Sequence, residues 1–238
     1  MDFNIVLRDI LVAKITLTKP NEDEMCAVGF HVVRGHERIC HSGTRTWVDA
    51  HLAKNPGGNK SMHLKENLFY LYWRRKITPS VPINSIKGFP AHHEVDALIQ
   101  FWIAYWQDQG LKFPDGFDPL IVKVIMAVES SFNVMAASKQ STAVGLMQVT
   151  GTARIDLSGR KRDGFRYIRN QLISVSHTDL QDPLINIAVA IRWLAVKFAA
   201  IPKGNDRTVF NMLKAYNDWG PAGEAYAKRV LQLYERSK

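Results

Sequence analysis

A chain of 238 residues with 46% apolar content is long enough for one large domain or two unequal ones and can bury a sizeable core. Charge breaks its longest apolar runs well short of membrane-spanning length, and Cys26 and Cys40 are too few for a disulfide scaffold and match no zinc spacing. The formal net charge of +9 suits a polyanionic partner, yet it is spread, 13 Lys/Arg against 8 Asp/Glu up to residue 90 and 18 against 14 beyond, so no basic tail singles out nucleic acid.

At the start of the chain, Arg8, Asp9 and Lys14 interrupt the stretch where an export signal needs a clean hydrophobic run, so no Sec-type signal is expected there. Residues 5–43 read as strand-rich. Ile15-Thr-Leu-Thr18 alternates, Lys19-Pro-Asn-Glu-Asp23 is a polar turn, and 25–33 is a β-branched apolar run closed by Arg34-Gly35-His36. Two helices are predicted next, over 44–54 and, after the breaker Asn55-Pro-Gly-Gly-Asn59, over 63–76. In the second, Phe69, Tyr70, Tyr72 and Trp73 stand at helical spacing and read as core. His31, His36, His41 and His51 lie among the two cysteines, but strand alternation sends them to different faces and no metal site is expected. Arg74-Arg75-Lys76 and Arg160-Lys161-Arg162 read as solvated runs.

Three prolines and a glycine in residues 78–90 break every periodic pattern and mark a boundary. Beyond it, helices are predicted over 93–109, 119–129, 144–157, 183–200, 207–219 and 221–236, with no second set of strands. The expected fold is therefore α+β overall: an appended α+β segment, 1–90, and a mainly α domain, 91–238. Asp118-Pro119, an N-cap and a first-turn proline, opens an almost uninterrupted apolar helix that ends on Glu129. An acid at the end of a buried helix either emerges at the surface, satisfies backbone donors nearby, or has its neutral form favoured, the condition of a general acid near neutral pH.

From Glu129 the chain reads Glu-Ser130-Ser-Phe-Asn-Val-Met-Ala-Ala-Ser138 and then Gly145-Leu146-Met147-Gln148. Asp182-Pro-x-x-Asn186-Ile187 opens a long helix with Trp193-Leu194, and Ala215-Tyr216-Asn217 precedes Gly220. These three ordered motifs resemble the catalytic signature of the soluble lytic transglycosylases, related in fold to goose-type lysozymes. The resemblance covers about residues 118–238 and says nothing of 1–90.

The resemblance implies a mainly α, lysozyme-like domain that cleaves the β-1,4 MurNAc–GlcNAc bond of peptidoglycan with Glu129 as general acid and then base, closing a 1,6-anhydro ring. It implies that Ser138 and Gln148 hydrogen-bond the sugar and its N-acetyl groups, that Met147 forms an apolar wall, and that Tyr216 and Asn217 position the acid and the ring. Ser130, Gly145 and Leu146 join this substrate-binding set, with Gly145 allowing a close backbone approach. No metal or organic cofactor is expected. A second carboxylate among Asp156, Asp163, Asp179 and Asp218 would instead give an inverting lysozyme, and a wall-binding module without turnover is the non-enzymatic alternative. The expected partner is peptidoglycan, with no nucleic acid and no membrane, bound by a monomer. With no export signal expected, the setting read from the sequence is an antibacterial effector, a toxin carried by secretion machinery such as a type VI apparatus to a target periplasm and neutralised at home by an immunity protein; a phage lysis enzyme is the alternative origin.

Overall fold

The computed structural model describes residues 15–56, 62–74, 81–89, 91–138 and 140–238. Of the N-terminal strand signals, residues 15–18 form no strand and the run 25–33 becomes one only from Phe30, where two antiparallel strand pairs follow in continuous register. β1 (Phe30–Val33) pairs with β4 (His51–Lys54), β2 (His36–Ile39) pairs with β3 (Arg45–Val48), and the register that starts at Phe30 opposite Lys54 runs without a shift to Ile39 opposite Arg45. The helix predicted over 44–54 is thus two strands. Arg45-Thr-Trp-Val48 alternates β-branched and aromatic side chains and carries no apolar stripe at i, i+4, so pairing across a short turn outweighs helix formation.

β5 (Met62–His63) leads into α1 (Lys65–Arg74), which begins and ends close to the predicted limits; Arg75, Lys76, residues 57–59 of the breaker and residues 78–80 and 90 of the boundary lie outside the described residues. Asn67 of α1 anchors the ribbon: its Nδ2 donates to Ala27 O at 2.6 Å and to Phe30 O at 2.8 Å, and its Oδ1 accepts from Leu64 N at 2.6 Å. Tyr72 is buried, while Phe69 and Trp73 pack on the core as their spacing predicts. β5 also pairs in parallel with β6 (Leu172–Ile173), a strand contact where the sequence pattern showed none. The pair is two residues long and its partners lie 110 residues apart in the chain, and the buried His63 ring reinforces it through Leu172 O (3.1 Å) and Tyr105 Oη (2.7 Å).

The helical part is built around α5 (Pro183–Ala199), in which every residue from Pro183 to Ala195 except Trp193 is buried. A helix apolar all round belongs in the middle of a core. α2 (Asp96–Asp108) and α6 (Val209–Asn217) pack on it, and α3 (Pro119–Ser130) packs against α2 and α7 (Pro221–Glu235). Trp106, fully buried on α2, donates to Ala188 O of α5 at 3.0 Å. Leu68 and Tyr72 of α1 share this core with α2, α3 and α5, so packing runs across the sequence break at 78–90. The predicted caps form: Asp118 Oδ1 accepts from Leu120 N (2.8 Å) and Asp182 Oδ1 from Leu184 N (2.9 Å), each followed by its proline. Between them, α3 buries a charge, Lys123, against Asp96 at 2.7 Å.

The helix predicted over 144–157 is shorter: α4 spans Gly151–Leu157, capped by Thr150, and residues 144–149 form a tight loop. Gly145 (φ 78) and Gln148 (φ 46) take left-handed backbone there, which no α-helix accommodates. Among the described residues no helix is long and apolar enough to cross a membrane. The architecture is α+β, a mainly helical C-terminal part with a small N-terminal strand region.

Candidate functional site

α3 delivers Glu129 in its last turn, and the chain then reverses sharply. Ser131 (φ 51) and Phe132 (φ 63) are both left-handed, a costly conformation for residues with a Cβ. Phe132 offsets that cost by burying its ring, stacked on His92 with centroids 4.1 Å apart and planes 7° from parallel. Ser130 shares its hydroxyl between Met126 O (3.1 Å) and Leu146 O (2.8 Å), tying the acid's helix to the following loop.

That loop is clamped from below by Asn186 of α5. The buried side chain donates to Val144 O (2.9 Å) and Leu180 O (2.8 Å) and accepts from Met147 N (2.9 Å). Gly145 sits so close above it that a Cβ there would come within 2.2 Å of Asn186 Nδ2 and 2.4 Å of Leu180 O. Leu146 and Met147 are buried beneath the loop. Gln148 turns outward, and its Nε2 donates to Ala136 O (3.1 Å) and Gly145 O (3.0 Å). Two carbonyl acceptors fix the orientation of this amide and use both its hydrogens, leaving the carbonyl oxygen to meet a ligand. Ser138 Oγ accepts from Gln140 N (3.2 Å) and Ser141 N (3.1 Å), so its hydrogen remains to donate. From the opposite side, Tyr216 of α6 donates to Met147 O at 2.7 Å.

These elements enclose a cavity of about 260 Å³. Of the sequence-predicted residues, Glu129, Ser138, Gln148, Tyr216 and Asn217 line it; Ser130, Gly145, Leu146 and Met147 do not, and serve to shape and hold the loop. Ser141, Ala143 and Thr150 also line it and were missed. Thr150 carried a readable signal as the N-cap of α4, whereas Ser141 and Ala143 reach the cavity through loop conformation alone.

Burial pushes the half-buried Glu129 carboxyl above its ordinary value; the neighbouring Tyr226 hydroxyl and the positive charge of Arg229 oppose that rise. Tyr226 Oη is itself buried and makes no hydrogen bond of ordinary length among the described residues. Burial, with the Glu129 charge second, holds the Tyr216 phenol well above its usual range, so it stays a donor. Among the described residues no group of three or more His, Cys, Asp or Glu is placed to hold a metal. The site thus offers an acid whose protonated form burial favours, facing an amide oxygen, a hydroxyl and a phenol across a small polar cavity.

An acid so held at the end of a core helix, in an otherwise helical domain, is the layout of a lysozyme-like glycan-cleaving enzyme. Residues 105–232, more than half of the chain, match the family model described as Transglycosylase SLT domain, and the chain belongs to that family. It is accordingly a peptidoglycan-lytic enzyme, and the matched stretch contains every predicted site residue. No curated protein matches the chain.

Proposed function

We propose that the chain cleaves the MurNAc–GlcNAc β-1,4 bond as a lytic transglycosylase with Glu129 as its single acid and base. One observation carries this reading: Glu129 is the only carboxylate lining the cavity among the described residues. The alternatives are engaged elsewhere. Asp156 is buried in a two-pronged pair with Arg162 (3.2 Å for each contact), and Asp163 meets the same guanidinium at 3.4 Å. Asp179 accepts from Ser176 N at 2.7 Å and faces Lys65, and Asp218 accepts from Gly220 N at 3.2 Å. An inverting hydrolase requires a second carboxylate to activate water, a role these four do not fill at this cavity.

In the proposed cycle, protonated Glu129 gives its proton to the glycosidic oxygen as the bond to C1 of the muramic acid breaks. The carboxylate then takes the proton of the 6-hydroxyl, whose oxygen bonds to C1 and closes the 1,6-anhydro ring. The free oxygen of Gln148 and the hydroxyl hydrogen of Ser138 meet the N-acetyl group and the ring, and Tyr216 and Asn217 hold the opposite side. Glu129→Gln keeps the shape and removes the transferable proton, so muropeptide release from purified walls is expected to disappear. Release by that variant, or products that are all reducing ends by mass, would overturn the reading.

The biological setting is proposed on the sequence alone: an antibacterial effector acting in a target cell's periplasm, the strand-rich N-terminal segment serving as an adaptor to secretion machinery, with an immunity protein in the producing cell. Killing on export to the periplasm with tolerance of cytosolic expression is the expected result; equal toxicity in both compartments would reject it.

A further inference from the structure

Away from Glu129 lies a larger hollow of about 660 Å³, walled by the C-terminal half of α5, the turn after α2 and the segment before β6. It shares no lining residue with the Glu129 cavity. Its charge is one-sided. Lys112, Arg169, Arg192 and Arg207 line it, no acid does, and none of the four is ion-paired among the described residues.

Arg192 is the decisive member, because it is only 5% exposed. Its Nε donates to Gln171 O (3.2 Å) and its Nη2 to Asn170 O (3.0 Å), so backbone dipoles hold it in place of a counter-charge. Burial pushes its guanidinium down to about 10. A cation withdrawn from water without an anion is costly, and a bound anion recovers that cost. Arg207 repeats the pattern, donating to Phe198 O (3.0 Å) and Ala199 O (3.2 Å) over the Phe198 ring. Much of the remaining wall is apolar, with Leu111, Ile168, Ala195 and Phe198, alongside Asn170 and Tyr167. At the rim, Tyr167 is 54% exposed and stacks under Arg162, whose charge is already met by Asp156 and Asp163.

We propose that this hollow binds a carboxylate-bearing peptide, and specifically the acidic peptide stem of the wall polymer. The identification of the stem rests on the peptidoglycan reading above. Guanidinium forks match carboxylates in a two-pronged geometry, the apolar wall suits aliphatic peptide side chains, and the volume falls within the usual range of small-ligand sites. The bound peptide anchors the substrate at a place separate from the glycan bond to be cut.

Calorimetric titration of the full chain tests this with three probes: the stem peptide released from walls by an amidase, the same peptide with its carboxyls amidated, and inorganic phosphate. Saturable binding of the free-acid peptide is expected, at least tenfold weaker after amidation and at least tenfold weaker in Arg169→Glu and Lys112→Glu. Both substituted residues are exposed, so these variants keep the fold. Phosphate bound as tightly as the peptide, or peptide binding untouched by Arg169→Glu, would overturn the proposal. Muropeptide release by the same variants reads the cleavage separately: release by a parent chain that binds no peptide removes this site and leaves the reaction, whereas peptide binding by a chain that releases nothing does the reverse.

Discussion

The Tyr216 hydroxyl donates to the Met147 carbonyl at 2.7 Å and so joins the end of α6 to the loop that carries Gln148. Glu129 lies on a third element, α3, and the cavity exists because these three pieces are held at fixed separation. Site geometry here depends on hydrogen bonds between elements distant in sequence, which the following substitutions probe.

Tyr216→Phe keeps the ring and orphans the Met147 carbonyl. The expected cost is about 1–3 kcal/mol of stability, the usual penalty for an unsatisfied buried acceptor. Muropeptide release is expected to fall by roughly tenfold or more, since an ångström of misplacement is costly at a reacting centre. Denaturant titration and release assays at matched folded fractions separate the two effects; unchanged release would mean that the tie is dispensable to the site.

Gly145→Ala places a methyl group where Asn186 Nδ2 and the Leu180 carbonyl already stand and forces a residue with a Cβ to φ 78. A loss of about 2–4 kcal/mol is expected from the combined clash and strain. Asn186→Ala removes the clamp from the other side, leaving Leu180 O and Met147 N without this partner while Val144 O keeps Val149 N, and a similar loss is expected. Thermal denaturation checks both; a melting temperature within a degree of the parent for either would refute the account of the clamp.

What could be read from the sequence was local. Asp118-Pro119, Asp182-Pro183 and Gly220-Pro221 announce helix starts because a cap needs only neighbours within a turn, and all three start helices. Glu129 was legible from an apolar run ending on an acid, and Gln148, Tyr216 and Asn217 from motifs whose order the chain preserves. The strand 45–48 escaped because four residues carry little periodicity, and β6 because its partner, β5, lies 110 residues away. Ser130 and Met147 sit inside the right motif, yet only the folded loop turns one into a tie and buries the other. The cationic hollow was invisible, since Lys112, Arg169, Arg192 and Arg207 come from four separate segments.

Lys123 offers a control that separates stability from chemistry. It is fully buried, 2.7 Å from Asp96 Oδ1, and also donates to Ile83 O at 3.3 Å, while Asp96 receives Ile83 N at 3.0 Å. Lys123→Met leaves the buried Asp96 carboxylate with only the His93 ring (2.9 Å) and Ile83 N, and a loss of about 3 kcal/mol is expected. Lys123 lies outside the Glu129 cavity, so release per folded molecule should match the parent. A large fall in specific release with stability intact would show instead that the pair serves the site.

The raised Glu129 carboxyl sets a pH signature in stability as well as in rate. Because folding favours the protonated form, the native state holds more protons than the unfolded chain between the ordinary value of 4.5 and the higher folded value. Stability referred to this group is therefore full below 4.5, falls as pH rises through the window up to the folded value, and is constant above it. Glu129→Gln abolishes that dependence. The variant is expected to match the parent below pH 4.5 and to melt higher than the parent at neutral pH, with the gap opening across the window. Melting temperatures of the two chains from pH 4 to pH 8 test this, and a gap that is constant with pH, or that closes toward neutrality, would mean that burial does not hold the proton on Glu129.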